Sequence, residues 1–151
     1  VSGNARVSGD AQVSGNAQVS GNALVFGDAW VSGDAQVSGD ARVSGDAQVF
    51  GNAQVSGDAR VSGDARVYGD AQVSGDARVS GDAWVKSPLF IIGSRHSLTN
   101  SRRGYIQIGC RCETFDWWAE KGEVFAKENG YSKSEIAEYR AYVELFVKIG
   151  K

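Results

Sequence analysis

The residues best suited to chemistry in this chain lie in a basic segment that follows its first half. From residue 83 to residue 112 the sequence has no Asp or Glu, but it has five Lys or Arg residues. Guanidinium groups, hydroxyl groups and backbone N–H groups near a glycine are donors that suit phosphate. The segment therefore predicts an anion site formed by six residues: Ser94, Arg95, His96, Thr99, Arg102 and Arg103.

Three interpretations of the basic segment stay open: a solvated hairpin, a site for a phosphate or nucleotide, and a nucleic-acid site in which Tyr105 stacks on a base. Residues 1–85 hold 5 Arg and 10 Asp, a net charge of −5, whereas residues 86–151 hold 11 Lys or Arg and 8 Asp or Glu, a net charge of +3. Because an acidic first half repels a long polyanion, the charges favour a small phosphorylated ligand over nucleic acid.

The two cysteines, Cys110 and Cys112, have the spacing of neighbours on one side of a strand. Two thiols are half of a zinc site, and His96, the only histidine, cannot complete it. Residues two apart in a strand rarely form a disulfide. We therefore expect buried, reduced thiols, with no metal and no cofactor.

A short repeat precedes these residues. Fourteen copies of the word Val-Ser-Gly-Asp/Asn-Ala-Xaa run from residue 1 to residue 84 without an insertion or deletion. Because six is a multiple of two, Ala and Val point to one side of an extended segment, whereas Xaa and Ser point to the other. Gly with Asp or Asn suits a tight corner in the left-handed region. Each word therefore predicts a short strand and a corner, with Val and Ala inside.

The word resembles the hexapeptide repeat of left-handed parallel β-helix proteins, which have an aliphatic residue, such as Val7, four positions before a small one, such as Ala11. The resemblance covers residues 1–85 and implies three words per coil. An interval of 18 residues also sorts the outward Xaa residues into distinct columns, which define three faces. The glutamine face has Gln18, Gln36, Gln54 and Gln72; the arginine face has Arg6, Leu24, Arg42, Arg60 and Arg78; the third has Gln12, Trp30, Gln48, Arg66 and Trp84.

The third face, called the aromatic face below, carries four large outward side chains: Trp30, Phe50, Tyr68 and Trp84. Leu24 and Phe26 add apolar groups to the arginine face. Outward aromatic side chains indicate an interaction surface, and the resemblance implies homotrimers packed side by side. We therefore predict an oligomer interface at these six residues. Ligand stacking, and isolated surface aromatics without a role, are the alternatives.

The repeat ends at Lys86-Ser87-Pro88, so we predict a solenoid over residues 1–85 and a second domain over residues 86–151. The only proline of the chain marks this boundary, because it cannot donate to a strand ladder. The solenoid begins in register at residue 1, from which we hypothesise a piece of a longer repeat protein or an end covered by another chain.

The second domain is predicted to be α+β, with a β-hairpin and two helices that cap the last coil. We expect a strand over 89–92 and a hairpin with strands over 98–101 and 105–108. The first helix follows Thr114 as N-cap, and the second follows a capping box of Ser132 and Glu135. The expected apolar stripes of the helices are Phe115, Trp118, Ala119, Phe125 and Ala126, then Ile136, Tyr139, Val143, Phe146 and Val147.

Residues 86–151 also resemble a small domain that follows hexapeptide repeats in bacteriophage and prophage proteins. The similarity lies in Ile92-Gly93-Ser94-Arg95, in Thr99, in the strand ending Ile108-Gly109-Cys110 and in the two closing helices. It implies a phage or prophage protein, located in the cytoplasm of a bacterial host or in the virion. No chemistry follows from this resemblance.

The hexapeptide resemblance also raises acyltransferase activity, which in that family uses a histidine on a loop extruded from the prism. The repeat has neither such a loop nor a histidine, since His96 lies after it. We therefore predict a non-catalytic structural or binding module, not an enzyme, that forms a homotrimer. The alternative is a binder or sequestrant of small phosphorylated, nucleotide-like ligands. No apolar run is long enough to cross a membrane, and nucleic acid is not an expected partner.

Overall fold

The computed structural model describes all 151 residues. It divides the chain into two compact units, residues 1–88 and 89–151. The first unit contains fourteen strands of two residues: β1 Arg6–Val7, β2 Gln12–Val13, β3 Gln18–Val19, β4 Leu24–Val25, β5 Trp30–Val31, β6 Gln36–Val37, β7 Arg42–Val43, β8 Gln48–Val49, β9 Gln54–Val55, β10 Arg60–Val61, β11 Arg66–Val67, β12 Gln72–Val73, β13 Arg78–Val79 and β14 Ala83–Trp84.

Every third strand of the first unit pairs in parallel, which gives three sheets. Their orders are β1-β4-β7-β10-β13, β2-β5-β8-β11-β14 and β3-β6-β9-β12. Up to β13 the partners are 18 residues apart, as for Arg42 and Arg60 or Gln36 and Gln54. The predicted parallel β-helix with three words per coil is confirmed, and so are the glutamine and arginine columns.

The core of the first unit consists of the Val and Ala of each word. From Val19 to Val79 these side chains are almost completely buried, while the intervening Xaa side chains lie outside. Burial of one Val contributes about 1.5–3 kcal/mol, which is modest for a chain rich in glycine. The regular stacking of small side chains, rather than a few large ones, therefore holds the coils together.

Glycine is required at the corners for two reasons. The corner glycine has a positive φ, for example +70° at Gly39, a conformation that costs other residues energy. A Cβ at Gly39 would also lie 3.0 Å from the backbone nitrogen of Gly57 in the next coil. Two corner columns contain Asn, whose amide donates to the carboxylate one coil further, as from Asn22 Nδ2 to Asp40 Oδ1 at 3.0 Å.

The last corner departs from the repeat and corrects one prediction. Here the positive φ moves from the glycine to Asp82, at +64°. As a result β14 pairs with β11 one residue out of step, so that Trp84 stands opposite Val67. A shift of one residue reverses which side of the strand each side chain occupies. Trp84 is therefore buried, with 2% of its surface exposed, and the prediction that it lies outward on the aromatic face was wrong.

The second unit is a four-stranded antiparallel sheet with two helices. Its elements are β15 Phe90–Ile92, β16 Ser97–Arg102, β17 Tyr105–Ile108, β18 Arg111–Thr114, α1 Phe115–Glu128 and α2 Lys133–Ile149, and the strands lie in chain order. The predicted strands and helices are confirmed, but β18 was missed. A two-residue turn at Gly109 and Cys110, with φ of +56° at Gly109, joins it to β17.

Both predicted helix starts are confirmed. The Thr114 side chain accepts a hydrogen bond from the Trp117 backbone nitrogen at 3.1 Å, and Ser132 with Glu135 forms a capping box. The core contains Leu98, Ile106, Ile108, Trp118, Tyr139, Val143 and Phe146. Ala119 and Val147 were expected in the buried stripes but are exposed. Neither helix is long and apolar enough to span a membrane. That this domain caps the solenoid stays a prediction.

Candidate interaction surface

The aromatic face of the solenoid is formed by β2, β5, β8, β11 and β14. Trp30 is 47% exposed, and its indole nitrogen donates to Ser14 Oγ at 3.2 Å, which fixes the ring against the coil above. Phe50 and Tyr68 follow β8 and β11 and stack almost in parallel, with ring centres 5.1 Å apart. The predicted outward position of these three aromatics is confirmed, and an ordered aromatic surface of this kind suits a partner.

The apolar residues of the arginine face adjoin this surface. Phe26 is 40% exposed and directly precedes the corner at Gly27 and Asp28, while Trp30 directly follows it. Leu24, in the same coil, is half-buried. The largest exposed apolar groups of the solenoid interior therefore flank one corner between the arginine face and the aromatic face.

Charged residues of the solenoid are arranged in columns. The corner between the arginine and aromatic faces, called the aspartate corner below, has only Asp: Asp10, Asp28, Asp46, Asp64 and Asp82. The other two corner columns mix Asn with Asp and form side-chain hydrogen bonds between coils. Within the aspartate corner, Asp28, Asp46 and Asp64 have no such bond and no ion pair. All five ion pairs of the chain lie in the second unit.

The predicted anion site is not assembled in the second unit. Arg95 and His96 precede β16, whereas Arg102 and Arg103 lie at and after its other end. Because an extended strand rises about 3.3 Å per residue, roughly 20 Å separates the two groups. Thr99 lies within β16 and is buried. The expectation that the hairpin returns Arg102 and Arg103 to Arg95 was wrong, since β16 carries them away from it.

The chain itself supplies the anion at Ser94. The carboxylate of Glu138 accepts hydrogen bonds from the Ser94 backbone nitrogen, at 2.8 Å, and from its hydroxyl. These bonds hold the pKa of Glu138 below its usual range. The Tyr139 hydroxyl, next in sequence, accepts from the backbone nitrogen of Arg95 at 3.0 Å and donates to the carbonyl of His96 at 2.7 Å. This loop therefore binds α2 and not an external phosphate.

The arginines of the basic segment are also engaged. Arg95 donates to the backbone carbonyls of Asn129 and Gly130 at the end of α1, at 3.3 and 3.1 Å, and its guanidinium lies 4.4 Å from the centre of the Tyr131 ring. Arg102 lies 4.0 Å over the Tyr105 ring. Sequence reasoning missed the carbonyl and ring partners, because most of them are distant in the chain.

The two cysteines do not share an environment. Cys110 is exposed in the turn between β17 and β18, so the expectation that it is buried was wrong. Cys112 lies in β18 and is half-buried, with its sulfur 3.2 Å from Ser101 Oγ. The turn removes Cys110 from the strand, and the two thiols therefore do not form a common site.

A cavity of about 480 Å³ lies within the second unit. Its walls include apolar side chains of both helices, such as Trp118 and Val143, together with Arg95, His96 and Cys110. Its volume falls in the range of small-molecule sites. The cations on its walls are neutralised by neighbouring carboxylates, as for Arg111 with Glu113 at 2.8 Å. The cavity therefore offers little free positive charge to an anion.

The fold and its surfaces define a β-solenoid repeat protein with an exposed aromatic face. The family model described as "YdcK Beta solenoid repeat" matches residues 1–15, 17–33, 35–51, 53–69 and 71–87, more than half of the chain. The chain belongs to this family. From the second match onward the matches begin 18 residues apart, the length of one coil. Comparisons with curated proteins and with solved structures found no match.

Proposed function

We propose that the chain is a non-catalytic structural module whose solenoids associate side by side, as a homotrimer, through their exposed aromatic residues. The observation that carries this proposal is the exposure of Trp30 and Phe26 around one corner of an otherwise polar solenoid. Aromatic side chains of this size contribute most of the energy at protein interfaces. A face with few charges, such as the aromatic face, also costs little to desolvate.

Sedimentation velocity, from low micromolar to the highest soluble concentration, tests this proposal. We expect Trp30→Ser combined with Phe26→Ser to shift the particle from trimer to monomer. The matched control is Gln36→Ser combined with Gln54→Ser on the glutamine face, which should leave the mass unchanged. A wild-type chain that stays monomeric throughout, or a double aromatic variant that keeps the trimer mass, would contradict self-association.

We also propose a phage or prophage setting for the module, supported by the resemblance of its second domain to domains that follow hexapeptide repeats in such proteins. In that setting a structural module would be a part of the virion. Mass spectrometry of purified virions tests this point, because a virion component is present in fixed stoichiometry and a host-directed protein is absent.

Binding of a small phosphorylated ligand is the weaker candidate. Arg95 and His96 border the cavity of the second unit, but the Arg95 guanidinium already serves two carbonyls and lies 3.8 Å from Glu135. Calorimetry with mono- and cyclic nucleotides at low salt tests it. Saturable binding that is lost in Arg95→Ala and kept in Arg103→Ala would favour this candidate.

An acyltransferase function has the least support. A histidine base needs an orienting partner, and the side chain of His96 has no hydrogen bond; its ring contacts only Tyr131, at 6.2 Å between centres. Incubation with acetyl-CoA and a panel of amines and alcohols tests this function. Turnover that disappears in His96→Ala would establish it against our expectation.

A further inference from the structure

One face of the solenoid is small compared with a stable interface. A face about four residues wide and five strands tall measures roughly 13 by 20 Å, or about 300 Å², whereas specific interfaces bury about 800 Å² per partner. A chain in a closed ring contacts two neighbours and uses two different patches. Since two small contacts reinforce each other in a ring, a trimer is favoured over a dimer.

Two patches of the solenoid match each other coil by coil. The arginine face has Leu24 in one coil, with Arg42 and Arg60 in the next two. The aspartate corner is flanked by Phe26 and Trp30 in the coil of Leu24. In the next two coils the corner presents Asp46 and Asp64 between smaller or polar neighbours. Each patch therefore has an apolar level followed by charged levels of opposite sign.

The charges of both patches lack partners within the chain. Arg42 and Arg60 form no ion pair, and they stack in register about 4.8 Å apart. Asp46 and Asp64 stack in the same way at the aspartate corner, without the Asn bonds that connect the other corners. Stacked like charges repel, and a neighbouring copy with the opposite column would remove both repulsions.

We propose that in the trimer the arginine face of one copy receives the aspartate corner of the next, an inference that rests on the proposed self-association. In a three-sided solenoid a face and its adjoining corner point about 60° apart, which is the angle between the two neighbours of a member of a threefold ring. Pure rotation brings equal heights together. Leu24 then meets Phe26 and Trp30 of the neighbour, Arg42 meets its Asp46, and Arg60 meets its Asp64.

This arrangement excludes other alignments. A shift by one coil would place Leu24 against an aspartate and Arg42 against the aromatic pair, so that both levels lose their partners. Charged pairs of this kind fix the register of an interface more than they add affinity. Phe50 and Tyr68 lie at the far side of the aromatic face and take no part in this contact.

Charge exchange tests the contact. We expect Arg42→Asp with Arg60→Asp to raise the trimer dissociation constant about tenfold or more at low salt, because both levels become repulsive. Asp46→Arg with Asp64→Arg should do the same. The chain with all four substitutions should regain the wild-type constant. Gln36→Asp with Gln54→Asp, on the glutamine face, is the control and should have no such effect.

The outcomes separate this inference from the proposed function. A trimer that dissociates in Trp30→Ser but ignores both charge reversals would refute the contact and leave self-association standing. Failure of the fourfold variant to restore the trimer, with circular dichroism unchanged, would also refute it. Leu24→Arg adds a second test: it should weaken the trimer, although it makes the arginine column regular. A monomeric wild type would refute both the contact and the proposed function.

Discussion

A corner glycine in the solenoid should tolerate no side chain, even one that accepts a positive φ. Gly39 and Gly104 have similar φ angles, +70° and +75°. A Cβ at Gly39 would meet backbone atoms of Gly57 at 3.0–3.3 Å, whereas at Gly104 it would meet nothing within 4 Å. The two positions therefore share the conformational cost and differ in the steric one.

Substitution to Ala and to Asn separates the two costs. Ala in the left-handed region costs about 1–2 kcal/mol, and Asn costs less. Overpacking against a fixed backbone adds about 1–3 kcal/mol, and the Gly57 backbone is fixed because its carbonyl accepts from Asp40 at 3.0 Å. We expect Gly39→Ala to cost about 2–5 kcal/mol and Gly104→Ala about 1–2 kcal/mol. Gly104→Asn should be nearly neutral, but Gly39→Asn should remain destabilising.

Hydrogen exchange resolved by peptide is the suitable assay, because it reports the opening free energy of each unit in the intact chain. Gly39→Asn should lower protection in peptides of the neighbouring coils and leave the second unit unchanged. Equal effects of Asn at the two positions, each within its own unit, would refute the reasoning. Close stacking of the coils would then not be what requires glycine at the corners.

Three other substitutions follow from buried or bonded side chains. Trp84→Ala should cost the solenoid about 3–5 kcal/mol in urea unfolding, because it removes a buried ring; Trp30→Ala should cost little, and equal costs would contradict the register of β14. The lowered pKa of Glu138 means that its bonds to Ser94 stabilise the fold above about pH 4.3 and are lost as the pH falls through the folded-state pKa. The melting temperature of Glu138→Gln should therefore depend less on pH in acid than that of the wild type. Asn100→Leu should cost about 3 kcal/mol by denaturant unfolding, since the buried amide of Asn100 donates to three backbone carbonyls that Leu leaves without it; a cost near zero would contradict this.

The solenoid could be predicted from the sequence because its period and its columns carry the same information. The interval of 18 residues aligns Gln18 with Gln36 and Arg42 with Arg60, and the strands pair in that register. The burial of Val and Ala follows from alternation along each strand. Local physics is sufficient here, since every coil repeats the contacts of the one before it.

The anion site could not be predicted in the same way. Arg95 and Arg102 are close in sequence, but β16 extends between them. The partner of Ser94 is Glu138, 44 residues away, and no local pattern indicates that contact. Proximity in sequence therefore overstated proximity in space, because a strand separates residues faster than a turn or helix does.

The position of Trp84 shows what limits such predictions at the end of a repeat. Its word, Gly81-Asp82-Ala83-Trp84, is the same in type as the words before it. Inside the solenoid, each corner is held against the glycine of the following coil, but no further coil follows Asp82. The positive φ passes to Asp82, which tolerates it, and the strand slips by one residue.

The slip also changes where an interaction surface can lie. Without Trp84, the exposed aromatics of the solenoid are Trp30, Phe26 and the stacked pair of Phe50 and Tyr68. The most exposed of them, Trp30 and Phe26, share one coil and one corner, and Leu24 lies at the same height on the adjoining face. An interface spread along the whole aromatic face would need Trp84 outside. An interface with one apolar level between charged levels does not, and it gives the columns of Arg and Asp a role.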